Sequence, residues 1–555
     1  MPQELRRRAL TVIQPGFEGT APPDWLRRLL GEGLGGVCLF ARNTPGPEQT
    51  ADLTAALREA NPEVVVACDE EGGAITRLES AHGSSWPGNA VLGRVGDPRL
   101  TGAVAAEMGA FLAAVGITLA YAPTADVTSD PDNPVIGVRS FGSGAREVAD
   151  HTAAFVGGLQ SAGVAACAKH FPGHGDTSVD SHHALPVLGI DEEVLWRREL
   201  PPFVAAIQAG VRTVMAGHLL VPCLDADRPA SLSPAALTGL LRGRLGFTGA
   251  IVTDALEMDA VAAGEPLPAL AVRALAAGAD VLCLGARRTG EATVRAVCDA
   301  VVDAVRTGVL AEERLVSAAD RVRGIAVPTP PAPPSVGGGS ARPWRVDLRG
   351  GRSGVRCVRL QGGGGERRGG GTSPAARPRE LSSTDGNAAD VRAGRRDAAE
   401  IHTPGARAPL GALAAARALE LRGPAPRFDR PPVVVTFDPP RTVAVGRRTP
   451  WGVAGLLAAR LPGTDTLTLT PPDCDEDGYA AALAHPARPL LLVVRDASRH
   501  TWISDAVRHL LARRPDAGVI EMGLPGPARP GAWHLATHGP SLASARAAVS
   551  LLLDR

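Results

Sequence analysis

The chain holds a single lysine, Lys169, among 58 lysines and arginines in 555 residues. Where only positive charge is needed it uses arginine, so a compact ammonium at this one place does something a planar guanidinium cannot. Aromatic residues are scarce at 3%, with two tyrosines, and platforms for stacking nucleic-acid bases are nearly absent. Charge of one sign is also lacking. Basic and acidic residues number 58 each, which argues against a polyanion binder while leaving local patches open. The eight cysteines (38, 68, 167, 223, 283, 298, 357, 474) contain no CxxC pair; several sit in apolar runs, where a free thiol behaves as a small buried hydrophobe. No run of 18 apolar residues occurs, and MPQELRRRAL leads into no apolar signal core. Neither a membrane span nor a signal peptide is expected, and the protein reads as cytoplasmic and reduced.

What is present is a globular composition, 45% hydrophobic, on a chain long enough for two domains. Up to about residue 325, eight short apolar runs alternate with amphipathic stretches: LTVIQP (10–15), GGVCLF (35–40), EVVVACDEEGG (63–73), ITLAYAPTADV (117–127), VAACAKHFPG (164–173), VRTVMAGHL (211–219), GAIVTDALEM (249–258) and ADVLCLG (279–285). Several intervening helical stretches end in glycine, as C-caps do. This alternation predicts a (β/α)8 TIM-type barrel over 1–328, with a doubly wound open sheet as the alternative. Residues 329–408 are rich in glycine, arginine and proline with few periodic apolars, and are expected to be a disordered linker or insert. An RGG-type RNA arm and an out-of-frame stretch are the other readings. Strand and helix patterns resume over 409–555, predicting a smaller C-terminal α/β domain.

Five runs end in residues costly to bury: Asp69, Asp126, Lys169 with His170, His218, and Asp254. Barrel strands buried on both faces should be apolar to their ends unless those ends open onto a site. In DSHH, Asp180 and His182 stand two apart, so a carboxylate can orient an imidazole that gives or takes a proton near neutral pH. Asp254 is placed as a nucleophilic carboxylate would be. Together they allow the two-step logic of retaining glycosidases. Asp69 could accept sugar hydroxyls, and Arg77, Arg139 and Lys169 could donate to others, an arginine at 169 being expected to crowd the sugar. His218 is taken as a further substrate contact. The rival reading is a metal site from His170, His174, Asp176, Asp180 and His182; against it, HFPGHG holds a proline and two glycines, which prevent a helix with both histidines on one face.

Four motifs, DEEGG-x3-R, NPVIGVRSFG, KHFPGHGDTSVDSHHALP and VTDALEM, occur in order over about residues 5–325. They resemble the bacterial β-N-acetylglucosaminidase branch of glycoside hydrolase family 3. The resemblance implies a (β/α)8 barrel with Asp254 as nucleophile, His182 as acid/base and Asp180 as its partner. Asp69, Arg77, Arg139, Lys169 and His170 would hold the terminal sugar. It further implies exo-hydrolysis of β-linked N-acetylglucosamine from muropeptides or chitooligosaccharides, without metal or other cofactor. A small oligosaccharide is the expected partner, with no nucleic acid or membrane, and nothing in the sequence fixes an oligomeric state. A phosphorylase on the same scaffold is the first alternative, since a histidine does not repel an incoming phosphate. A metal-dependent hydrolase and a non-catalytic sugar binder are the others.

Overall fold

The structure is a computed structural model. It describes residues 2–554 apart from 182–183, 263, 286–289, 327–408, 425–427, 429, 441–444 and 446–448. The linker expected over 329–408 therefore lies outside the described residues.

Eight parallel strands, one within each predicted run, build the first architecture. They are β1 (Ile13–Gln14), β2 (Gly36–Leu39), β3 (Val65–Cys68), β4 (Leu119–Ala120), β5 (Ala165–Phe171), β6 (Thr213–Ala216), β9 (Ala250–Thr253) and β10 (Leu282–Cys283). The hairpin β7 (Leu220–Val221) and β8 (Asp225–Pro229), which no predicted run contains, lies between β6 and β9. A six-stranded sheet runs β2-β3-β4-β5-β6-β9, and β1 pairs with β10. The ring continues where Val252 bridges Val281 and where Cys38 N donates to the Pro15 carbonyl at 2.9 Å. This is the (β/α)8 barrel. The β-branched and small residues of these strands are almost all buried, as a sheet covered on both faces requires.

Helices follow the amphipathic stretches. Asp24–Glu32 buries Leu26, Leu29 and Leu30 and ends at Gly33, whose φ of 112° is open to glycine but strained for other residues. The first apolar run divides differently from the expectation: Pro2–Thr11 is helical, and extended chain begins only at Ile13. Leu10 in the helix and Val12 between it and β1 are both buried, so burial alone does not separate helix from strand.

From residue 409 a helix (Pro409–Ala418) leads into a second sheet. Its strands are β11 (Glu420–Arg422), β12 (Val433–Phe437), β13 (Asp465–Leu469), β14 (Leu490–Val494), β15 (Gly518–Glu521) and β16 (Trp533–Ala536). The order is β11-β16-β15-β14-β12-β13, parallel except for the antiparallel edge β11. Apolar clusters cover both faces: Ile503, Val507 and Leu510 pack on one, Leu457, Ala548 and Leu552 on the other. That is the α/β domain the sequence predicts.

Candidate active site

A cavity of about 530 Å³ opens at the carboxyl ends of the barrel strands, where α/β barrels carry their chemistry. Asp69, Arg77, Arg139, Lys169, His170 and Asp254 all stand in its wall. Residues distant in sequence thus meet because their strands end at one level.

Lys169 is the centre of the charged floor. Its side chain is 2% exposed, and its Nζ lies 2.8 Å from Asp69 Oδ1 and 2.7 Å from Glu71 Oε1. A compact point charge bridges two carboxylates this way, where a guanidinium would present a larger planar fork. Arg139 grips Glu71 with two donors, Nε to Oε2 at 3.0 Å and Nη2 to Oε1 at 2.8 Å. Arg77 meets Asp69 at 3.2 Å. Burial would raise both acids, but Lys169 with Arg77 holds Asp69 well below the carboxylate range. Arg139 with Lys169 brings Glu71 down to about 2. The same acids oppose the effect of burial on Lys169 and raise its pKa. The floor is an ionised, mutually neutralising lattice at neutral pH, with hydrogen-bonding capacity left for a polar ligand.

Glu71 belongs to this floor, and Asp126, fully buried, supports it through His170; neither is among the predicted site residues. The signal for Glu71 was the second glutamate of DEEGG. Asp126 was noted only as a strand end; it accepts from His170 Nδ1 (2.8 Å), His170 N (3.0 Å) and His174 N (2.8 Å). It thereby orients the His170 ring, whose Nε2 faces Arg139 Nη2 at 3.4 Å. Glu70, between Asp69 and Glu71, points away from them and accepts the main-chain N–H of Arg77 (2.9 Å) and Leu78 (3.2 Å). It holds the loop that brings Arg77 back to Asp69. Burial raises its pKa to about 8.

Asp254 caps β9, with its Oδ1 accepting from Ala255 N at 2.8 Å. His218 is buried beside it rather than in the cavity wall. Its Nε2 donates to the Ala255 carbonyl at 3.1 Å, and its Nδ1 meets Ser231 Oγ at 2.7 Å. Through these contacts His218 braces the backbone next to Asp254.

The loop after β5 borders the cavity through His174 and Ser181. Asp180 is half-buried, and its carbonyl accepts from Ala184 N at 3.1 Å. His182 lies outside the described residues, as does its pairing with Asp180. Of the residues in the rival metal reading, His170 bonds Asp126, His174 bonds Thr177 and Asp176 pairs with Arg198. Among the described residues no three His, Cys, Asp or Glu groups are arranged to hold a metal ion. Nor is any described helix long and apolar enough to cross a membrane.

Comparisons with known proteins agree with this geometry. Residues 23–325 match the glycosyl hydrolase family 3 N terminal domain. Beta-hexosaminidase A of Pseudoalteromonas piscicida is 34% identical over 329 residues, 55% of each chain, so the match spans about half of that relative's length. A beta-hexosaminidase of Methylococcus capsulatus is 39% identical over 250 residues, 45% of this chain and 74% of that one. Among solved structures, a glycoside hydrolase family 3 beta-N-acetylglucosaminidase from Paenibacillus sp. str. FPU-7 superposes with a TM-score of 0.76 at 28% identity, covering 99% of this chain and 96% of that one. With the family model covering more than half of the chain and the motifs meeting in one cavity, the protein belongs to glycosyl hydrolase family 3.

Proposed function

We propose that this protein is a retaining exo-β-N-acetylglucosaminidase, releasing terminal non-reducing N-acetylglucosamine from cell-wall fragments or chitooligosaccharides. The observation that carries this reading is a shared wall. Asp254 lines the cavity that Ser181, the residue covalently joined to His182, also lines. A nucleophile and the loop bearing a proton donor therefore border one space, floored by a charge lattice suited to sugar hydroxyls. The names of the similar proteins, beta-hexosaminidase and beta-N-acetylglucosaminidase, support the choice of sugar.

In the first step the Asp254 carboxylate attacks the anomeric carbon, and the bond to the leaving oxygen breaks as His182 gives it a proton. Asp180 holds the imidazole and stabilises its charged form. In the second step His182 takes a proton from water, whose oxygen attacks the anomeric carbon and frees Asp254. Asp69, Arg77, Arg139, Lys169 and His170 position the hydroxyls, while His218 acts at one remove by holding Ala255. In this reading 1–328 is the catalytic domain, 329–408 a linker and 409–555 a second domain, in a cytoplasmic protein needing no cofactor.

A chromogenic β-N-acetylglucosaminide tests the activity: the protein should cleave it, and Asp254→Ala should lower kcat by at least about 10⁴-fold. Survival of cleavage in that variant rejects the assignment. NMR of products from a defined disaccharide, with and without inorganic phosphate, separates hydrolysis from phosphorolysis. Free N-acetylglucosamine in both arms is expected; sugar 1-phosphate would establish the alternative.

A further inference from the structure

The loop leading to His182 is tied down by one imidazole. Asn133 Nδ2 donates to the carbonyls of His174 (2.9 Å) and Thr177 (2.8 Å), and Asp126 takes the His174 N–H. The Thr177 hydroxyl donates to the His174 carbonyl at 3.0 Å, so its oxygen is left to accept from His174 Nδ1 at 2.7 Å. This puts the ring proton on Nδ1 and leaves Nε2 an acceptor. The group that meets Nε2 is Ser181 Oγ, at 3.2 Å, which must then donate. His174 is buried, and burial together with nearby His170 lowers its pKa to about 4. The ring stays neutral at working pH, with one donor and one acceptor in use.

We propose that His174 is a positioning residue for catalysis: through Ser181 it sets the course of the chain as it enters His182. The motif histidine that resembled a metal ligand is, in this account, a hydrogen-bonded strut between two turns of the loop. The inference rests on the reading of His182 as the proton donor. In formation of the glycosyl-enzyme, the step that kcat/KM reports, a misplaced donor harms only leaving groups that need its proton.

The test compares two substrates of the full chain. N,N′-diacetylchitobiose has a poor leaving group that needs protonation; the 2,4-dinitrophenyl β-N-acetylglucosaminide does not. His174→Asn, whose amide reaches only the Nδ1 position, and Ser181→Ala should each lower kcat/KM on the disaccharide about 10–100-fold. On the aryl substrate, whose leaving group departs unaided, kcat/KM should fall less than about 3-fold. His174→Gln, whose amide oxygen reaches the Nε2 position and can accept from Ser181, should recover most of the loss. Equal losses of kcat/KM on both substrates, or a glutamine variant no better than asparagine, would overturn the proposal. If His174→Asn fails to fold by thermal melting, Ser181→Ala decides between the same outcomes. His182→Ala serves as the reference. If it shows the leaving-group dependence and the other variants do not, only the strut is wrong; if it lacks the dependence, the acid/base reading falls and the strut with it.

Discussion

Two parallel sheets in this chain end in carboxylates, and they treat them in opposite ways. At the barrel's strand ends, Glu71 is buried against Lys169 and Arg139 and its pKa falls to about 2. At the end of β15 in the second sheet, Glu521 is just as buried, but backbone N–H groups of Asp496 (2.9 Å), Ala497 (3.2 Å) and Gly523 (2.7 Å) surround it. Burial, with Asp496 nearby, pushes it up to about 7. The neighbouring strand ends of that sheet hold Asp438, bonded by Trp451 Nε1 at 2.8 Å, and Arg495, stacked on the same indole. One region spends cations to keep its acids ionised around a cavity. The other folds its loops onto its polar groups. Strand-end position is thus shared by both, and what distinguishes the candidate site is charge compensation across strands around an open space.

The largest effect that would sharpen this contrast is expected from Lys169→Arg. The net charge is unchanged, but a larger planar fork replaces the compact ammonium that lies between Asp69 and Glu71. Steady-state kinetics should show kcat/KM lowered by about 10²–10³-fold. Retention of activity would mean that the bridge needs only positive charge, not a compact ammonium. Next in size is Glu71→Gln, which leaves Arg139 and Lys169 short of a counter-charge in a buried site. Chemical denaturation should show a loss of about 3–5 kcal/mol, accompanied by a fall in kcat/KM.

The smallest effect belongs to the other sheet. Glu521→Gln should leave kcat/KM within about 2-fold, because Glu521 is not part of the cavity wall. Its folded pKa of about 7 stands above its ordinary value, so the native state binds the extra proton, and the wild type loses stability as pH rises from about 4.5 to 7. The variant lacks that loss. Its stability relative to wild type should therefore improve by about 1–3 kcal/mol between pH 5 and pH 8. No change across that range would show that Glu521 titrates normally.

Much of this was legible in the residues. Each of the eight apolar runs contains a barrel strand, because two-sided burial leaves a continuous hydrophobic signature. The strand-end residues Asp69, Lys169, His170 and Asp254 are readable as a group because several runs of one predicted barrel end in residues costly to bury. Partnerships were not readable. DEEGG places three acids in succession, yet Asp69 and Glu71 face Lys169 while Glu70 turns to the backbone of its own loop. That division depends on how the chain bends after β3, which no spacing reports. His218 ends its apolar run as the other candidates do, and only the fold reveals that its nitrogens face Ser231 and the Ala255 carbonyl. The hairpin of β7 and β8 was missed because DADRP carries charges and no alternating pattern.

The most direct test of the central claim is to catch the covalent intermediate. The protein would be incubated with a fluorinated N-acetylglucosaminyl donor carrying an activated leaving group, which forms the glycosyl-enzyme faster than water removes it. Mass spectrometry of the intact protein, followed by peptide mapping, then locates the added sugar. The account predicts one sugar per chain, attached to Asp254, and none in Asp254→Ala. A sugar on a different residue, or turnover of the donor with no adduct under conditions where release is slow, would contradict it.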